Sequence, residues 1–432
     1  MRTAPRATER ARPDSAIFDR LRRAPRSRPG DEHAPPRHAP PLILDSRAPH
    51  RRRAGSRPPS FGTPVRAVVS APRRARLGET DLEVSTLVFG SMGRRRRDEA
   101  SRARVLDAAI EAGLTSIDTA PLYDFGEVEA FLGRALAGRR NRVELLSKVG
   151  LRWDGAHGEV LFSLEQAGKQ RTVRRDSRPA SIRRDVEESL ARLRTDHLDL
   201  CQIHHPDRRI PLEDALGELV RLRDEGKIRH LGVSNVEDRE LATCLAFFRD
   251  AAPGRGIASL QLHYSLLERG AEADRIPTAH ASALGVLAYT PLEGGALSDR
   301  FVRDAGWRRE RSESDPLFRA PNVGPLRAAV ADALIPVARD LGVPASTVAL
   351  AWLLARPQRV MPIVGASSEG HVREHAAAWD TPLENTAAES LAEAFAALKI
   401  DRNPNATFTT RLRNKIRRLL ERGSRLRRGS AR

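Results

Sequence analysis

The sequence predicts an α/β protein: a (β/α)8 barrel of the TIM-barrel class, with a basic, disordered tail at each end. Three observations lead there. The composition changes abruptly at Leu77. Eight short apolar or β-branched runs follow, separated by stretches with helical periodicity. No G-x-G-x-x-G follows the first run, which argues against an open doubly wound sheet and for a closed barrel.

Taken in order, the first strand run is 86–89, with a helical stretch at 101–112. Run 115–118 precedes helix 128–136. Run 143–147 leads through a long charged loop at 155–177 to helix 181–193. Run 198–203 precedes helix 212–225, run 230–233 precedes 238–248, and run 259–262 precedes 271–284. Run 286–289 leads to a long helical stretch, 326–354, broken near Pro344 because proline cannot continue a helix. Run 360–363 closes the set and is followed by helix 369–378. Three segments result. Residues 1–76 are rich in Pro, Arg, Ala and Ser and read as disorder. Residues 77–400 form the barrel. Residues 401–432 form a basic tail in which Leu412, Ile416, Leu419 and Leu420 stand at helical spacing, the pattern of an amphipathic helix.

The formal net charge of the 432-residue chain is +18. Residues 1–76 hold 19 basic and 6 acidic side chains, and residues 402–432 hold 11 and 1. The stretch between them holds 44 and 49, so the barrel itself is slightly acidic. A groove reader carries its basic patch on the folded domain, so no specific nucleic-acid partner is expected. No apolar run approaches the ~18 residues of a membrane span. No apolar stretch of a secretory signal follows the first arginines, and a cytoplasmic location is expected. Cys201 and Cys244 show no disulfide framework or metal-ligand spacing and read as buried thiols. Nothing in the sequence fixes an oligomeric state.

In such a barrel, chemistry gathers at the C-terminal ends of the strands. Asp118-Thr119-Ala120 ends the second run and Tyr123 follows it. Ser147-Lys148 ends the third, and Ile203-His204-His205 the fourth. Ser234-Asn235 follows the fifth, Gln261 lies in the sixth, and Tyr289 ends the seventh. Only three tyrosines occur, each beside a strand end, and only five of the 74 basic residues are lysines. A tyrosine holds its proton at neutral pH and can donate it to a carbonyl oxygen. A nearby ammonium stabilises the phenolate left behind. Asp118 can hold that ammonium, and a neutral His204 can orient a substrate. Strand alternation puts His205 on the opposite face.

These segments resemble the aldo-keto reductase family. The likeness runs from Leu77-Gly78-Glu79-Thr80 through Ile117-Asp118-Thr119-Ala120-Pro121-Leu122-Tyr123 and Ser147-Lys148-Val149-Gly150. It continues through Ile203-His204-x-Pro-Asp to Gly226-Lys227-Ile228-Arg229 and Gly232-Val233-Ser234-Asn235, and extends to about Leu398. The resemblance implies Tyr123 as general acid, tuned by Lys148 and Asp118, with His204 orienting the substrate. It implies that Ser234, Asn235 and Gln261 hold the nicotinamide carboxamide and that Tyr289 stacks under the ring. Gly90 and Ser91 would meet the cofactor or the substrate rim. Leu292 and Gly294 would lie along the pyrophosphate, within reach of Arg300. Gly365, Ala366 and Ser367 would bind the adenosine phosphate, with Glu374 near the adenine. His371 and His375 stand where many relatives have arginine and asparagine, at the 2′-phosphate and the adenine.

The expected activity is NAD(P)H-dependent reduction of an aldehyde or ketone to an alcohol, or the reverse oxidation, with NADP(H) favoured over NAD(H). The alternative is a cofactor-binding regulatory or sensor subunit of the same fold with little turnover. Trp153, Phe162 and Trp307 are candidate walls of the substrate pocket. The arginine run 94–97 reads as a solvated loop beside it.

Overall fold

The computed structural model describes residues 68–69, 73–92, 98–166, 169–250, 256–312, 315–357 and 360–402. The readings of disorder over most of 1–76, of a basic helix near 411–428 and of a solvated loop at 94–97 lie outside these residues. Eight parallel strands close a barrel in chain order. They are β1 (Val88–Gly90), β2 (Ser116–Asp118), β3 (Glu144–Val149), β4 (Leu198–Ile203), β5 (Ile228–Ser234), β6 (Ser259–His263), β7 (Gly285–Tyr289) and β8 (Val360–Val364). Every one falls on a predicted run. The packed helices are α1 (Glu99–Glu111), α2 (Glu127–Ala135), α3 (Pro179–Leu193), α4 (Leu212–Asp224), α5 (Asp238–Asp250), α6 (Arg275–Ala281), α7 (Ala345–Leu354), α8 (Glu369–Ala376) and α9 (Asn385–Ala396).

Local chemistry explains several boundaries. Asp98 caps α1 by accepting from the Ser101 amide, and Ser368 caps α8 by accepting from the His371 amide. Pro179 opens α3, where its missing N–H costs nothing. Every residue of α7 is buried, and all but Ser346 and Thr347 are apolar, as suits a helix enclosed on every side. The expected break near Pro344 divides Val323–Leu341 from Ala345–Leu354 at an angle of 87°. Among the described residues no single helix is long and apolar enough to cross a membrane.

Two features differ from expectation. Ordered structure begins before Leu77: strand Arg74–Arg76 pairs antiparallel with Glu83–Ser85. This hairpin floors the barrel, with Leu77, Leu82 and Val84 buried against the inward Leu146, Leu200 and Leu287. Gly78 makes the fit possible, having a φ of +63° and lying where a Cβ would stand 2.6 Å from the Ala283 carbonyl oxygen. The charged loop expected at 155–177 is instead mostly a hairpin, Glu159–Gln166 with Lys169–Arg175, extended by Leu151–Arg152. Its β-branched and aromatic residues, among them Val160, Phe162, Thr172 and the fully buried Val173, favour strands. The charge count had masked that pattern.

Helices α2 and α3 touch at Gly133, where an added Cβ would stand 2.2 Å from the Arg192 carbonyl oxygen. The neighbour is backbone and cannot swing aside. Gly133→Ala is expected to cost about 1–3 kcal/mol of stability through overpacking. Gly155→Ala, with nothing within 4 Å, should stay within about 0.5 kcal/mol as a surface change. Denaturant midpoints of the two variants check this.

Candidate active site

The barrel interior is layered. Val88, Leu146, Leu200, Leu287, Met361 and Ile363 form its apolar part. Two residues further along β3, β4 and β7, alternation brings Lys148, Gln202 and Tyr289 inward at the C-terminal end. Adjacent register places Gly90 beside Asp118, Gln202 beside Lys148, Ser234 beside Gln261 and His263 beside Tyr289.

Lys148 is buried, and its ammonium is surrounded by oxygens. It donates to Asp118 Oδ1 at 2.6 Å and Oδ2 at 2.8 Å, to the Thr119 carbonyl at 3.0 Å and to Tyr123 Oη at 3.1 Å. Gln261 Nε2 donates to Asp118 Oδ2 at 2.9 Å, fixing the carboxylate from the far wall. Burial alone would drive the Lys148 pKa down, but Asp118 and Tyr123 together carry it above the ordinary lysine value. Burial pushes the Tyr123 phenol up to about 12, against the opposing pull of Lys148. His204 meets Tyr123 edge-on, with ring centroids 6.2 Å apart. Burial, then Lys148 and His205, lower its pKa well below the usual histidine range, so its ring is neutral at pH 7.

His205 departs from the expected opposite face. Its ring stacks on His204 at 5.3 Å and lines the same groove. Strand pairing ends at Ile203, so alternation no longer governs the next two residues. Asn235, with a φ of +56°, ties this loop down. Its Nδ2 donates to the His204 carbonyl at 2.9 Å and contacts His205 Nε2 at 3.2 Å, while its Oδ1 accepts from Tyr289 Oη at 2.8 Å. Ser234 is fully buried behind Asn235, its Oγ accepting from Nδ2 at 3.0 Å, and is not among the groove-lining residues.

A long groove runs from Tyr123 across the mouth to α8. Gly90, Ser91, Gln261, Tyr289, Leu292, Gly294, Arg300, Gly365, Ala366, Ser367, His371, Glu374 and His375 line it, all singled out from the sequence. Arg300 pairs with Asp304 at 3.1 Å and lies 4.9 Å over Trp307. Ser367 Oγ and His371 Nδ1 share a hydrogen bond of 2.8 Å at the start of α8. His375 is buried behind them, and its Nδ1 has no hydrogen-bond partner. At the Tyr123 end, Phe162 lines the groove with Phe125, Leu164 and Met92. Trp153 instead packs edge-on against Phe125 at 5.3 Å, and Trp307 lines the groove beside Arg300. The sequence reading missed Phe125 and Leu164. Phe125 stands two residues after Tyr123, at the end of the Asp-x-x-x-x-Tyr stretch, which was the available signal.

A closed barrel with a buried Lys–Asp–Tyr cluster beside a groove that crosses its mouth points to a class of oxidoreductase, and the comparisons agree. The family model described as "Aldo/keto reductase family" matches residues 86–395. The chain is 31% identical over 332 residues to the oxidoreductase YrpG of Bacillus subtilis (strain 168), covering 74% of this chain and 94% of that protein. The glycerol dehydrogenase AKR11B4 of Gluconobacter oxydans is 32% identical, with a TM-score of 0.65 over 77% of this chain and 98% of that one. An aldo/keto reductase from Klebsiella pneumoniae, solved with NADP and acetate, is 28% identical, with a TM-score of 0.57 over 76% and 98% of the two chains. The chain belongs to the aldo/keto reductase family.

Removing one member of a buried ion pair strands the other. Lys148→Met is expected to destabilise the barrel by about 3–5 kcal/mol, because the buried Asp118 carboxyl is left without its partner. Chemical denaturation at pH 7 measures this, and a loss under 1 kcal/mol contradicts it.

Proposed function

We propose that the protein reduces an aldehyde or ketone to an alcohol at the expense of NAD(P)H, or runs the reverse oxidation, with Tyr123 as the general acid. One observation carries the reading: Tyr123 Oη lies 3.1 Å from a buried ammonium, and Tyr123 lines a groove that runs across the barrel mouth to His375. The residues present fit such a cofactor. The orphaned His375 Nδ1 supplies a buried polar atom at one end, and the half-buried Tyr289 supplies an aromatic surface at the other. When bound, the nicotinamide supplies the hydride.

The side chains do the rest. Burial keeps the Tyr123 proton in place at neutral pH, so the neutral phenol is ready to donate it. As that proton leaves, the phenolate forms beside Lys148, whose charge stabilises it without reorganisation. Asp118 keeps Lys148 protonated and aimed. Neutral His204 orients the carbonyl oxygen towards Tyr123 without adding charge. Asn235 and Gln261 would hold the carboxamide, with Ser234 supporting Asn235 from behind. Gly90, Ser91, Leu292 and Gly294 would border the cofactor's middle, within reach of Arg300. Gly365, Ser367, His371, Glu374 and His375 would take the adenosine end. The Ser367–His371 pair at the α8 N-terminus offers donors to an added phosphate, which favours NADP(H) over NAD(H). Phe125, Phe162 and Leu164 favour an apolar body on the carbonyl substrate.

Tyr123→Phe keeps the ring and removes the proton. Single-turnover oxidation of bound NADPH by an aldehyde panel should slow by about 10²–10⁴-fold, with NADPH affinity within twofold of wild type. An unchanged rate would falsify the assignment. The raised Tyr123 pKa fixes a sign for pH as well: the donor stays protonated as pH rises, so the reductive single-turnover rate should be level from pH 6 to 9. A break near pH 7 would identify a different donor.

A further inference from the structure

Glu293 is an unusual residue for its place. It sits between Leu292 and Gly294 in the loop after β7, with a φ of +49° that non-glycine residues rarely adopt. Its side chain is buried, only 1% exposed. Burial by itself would favour the neutral acid, but His263 and Arg402 hold its pKa below the usual glutamate range. The carboxylate contacts His263 Nε2 at 3.0 Å and accepts from Ser265 Oγ. Arg402 grips it with two nitrogens, at 3.0 and 3.1 Å.

Arg402 is itself placed by two further contacts. It pairs with Glu268 at 2.9 Å. Its neighbour Asp401 is locked by reciprocal bonds with the buried Asn322: Asn322 Nδ2 donates to the Asp401 carbonyl at 2.7 Å, and the Asp401 amide donates to Asn322 Oδ1 at 2.9 Å. In the other direction, the His263 ring stacks on Tyr289 at 5.3 Å and 17°. Tyr289 is pinned at its hydroxyl by Asn235. A continuous chain of contacts therefore runs from Arg402, through Glu293 and His263, to the face of Tyr289.

We propose that Arg402 and Glu293 are positioning residues: they lock the β7 loop and the His263–Tyr289 stack in the orientation that receives the nicotinamide ring. The inference rests on the reading of Tyr289 as the ring's platform. Neither residue touches the reacting atoms. A bidentate arginine suits the role, because its fork fixes the carboxylate in angle as well as distance. A buried carboxylate without that partner would draw the loop into a new arrangement or take up a proton, and His263 would lose its anchor either way.

The test uses the full chain with NADPH as the probe. Wild type, Arg402→Ala, Arg402→Lys and Glu293→Gln are compared for NADPH dissociation constant, for emission of bound NADPH and for aldehyde KM. Arg402→Ala should raise the dissociation constant about tenfold and shift the bound-cofactor emission, leaving aldehyde KM within twofold. Arg402→Lys, which keeps one charge contact, should recover at least half of the loss on a logarithmic scale. Glu293→Gln combined with Arg402→Ala should be no worse than Arg402→Ala alone, as expected of one coupled unit. If wild type binds NADPH and the variants bind it with unchanged affinity and emission, even where their melting temperature falls, the positioning role is overturned. If Arg402→Ala does not fold, Arg402→Lys and Glu293→Gln decide by the same readouts. Failure of wild type to bind NADPH or NADH would instead remove the cofactor reading and this inference with it.

Discussion

Lys148 carries a charge in one of the driest places of the barrel, and the rest of the mouth is arranged around that fact. An ammonium out of water is costly unless oxygens surround it. Here two carboxylate oxygens, a backbone carbonyl and a phenol oxygen do so within 3.1 Å. The cluster draws on both β2 and β3 and the loop after β2, and Gln261 reaches it from β6. A one-residue slip between β2 and β3 would turn Lys148 outward and leave Asp118 unpaired. The apolar layer beneath, floored by the Arg74–Arg76 hairpin, keeps water out from below.

The fold was legible because barrel strands are short and their helices have a clear period. All eight strands fall on predicted runs, and the ends err by at most two residues, as at the start of β1. Asp118, Tyr123, Lys148 and His204 were legible for a related reason. The strand ends form one ring at the mouth, so residues far apart in sequence meet once the barrel is recognised. Their types also stood out against composition, with few tyrosines and fewer lysines than expected for so basic a chain.

What escaped the sequence lies where periodicity stops. Strand alternation puts His205 on the opposite face only if it is extended two residues beyond the last paired position, and loop geometry stacks it on His204 instead. Ser234 does follow alternation, yet Asn235 folds over it through a left-handed turn and takes its place at the groove. The hairpin in the insert was hidden by arginines that sit on its faces, Arg171 over Phe125 and Arg175 beside Glu159. Glu293 and Arg402 are 109 residues apart, and no local pattern connects them.

The strained backbone of the mouth follows the same logic. Among the described residues, seven non-glycine residues have positive φ, and five of them, Asp124, Phe125, Asn235, Thr290 and Glu293, lie in loops after β2, β5 and β7. Each conformation costs on the order of 1–3 kcal/mol and persists only where its surroundings over-determine it. At Asn235 three side-chain hydrogen bonds to other residues' groups do so, and at Glu293 a buried ion pair does. At these two positions the loops that would carry cofactor contacts are thus tied by polar contacts. The Tyr123 end of the groove is walled by Phe125, Phe162 and Leu164, and Phe162 remains 39% exposed. That division would let the apolar wall adapt to a bound molecule while the Lys148 cluster and the polar-tied loops keep their place.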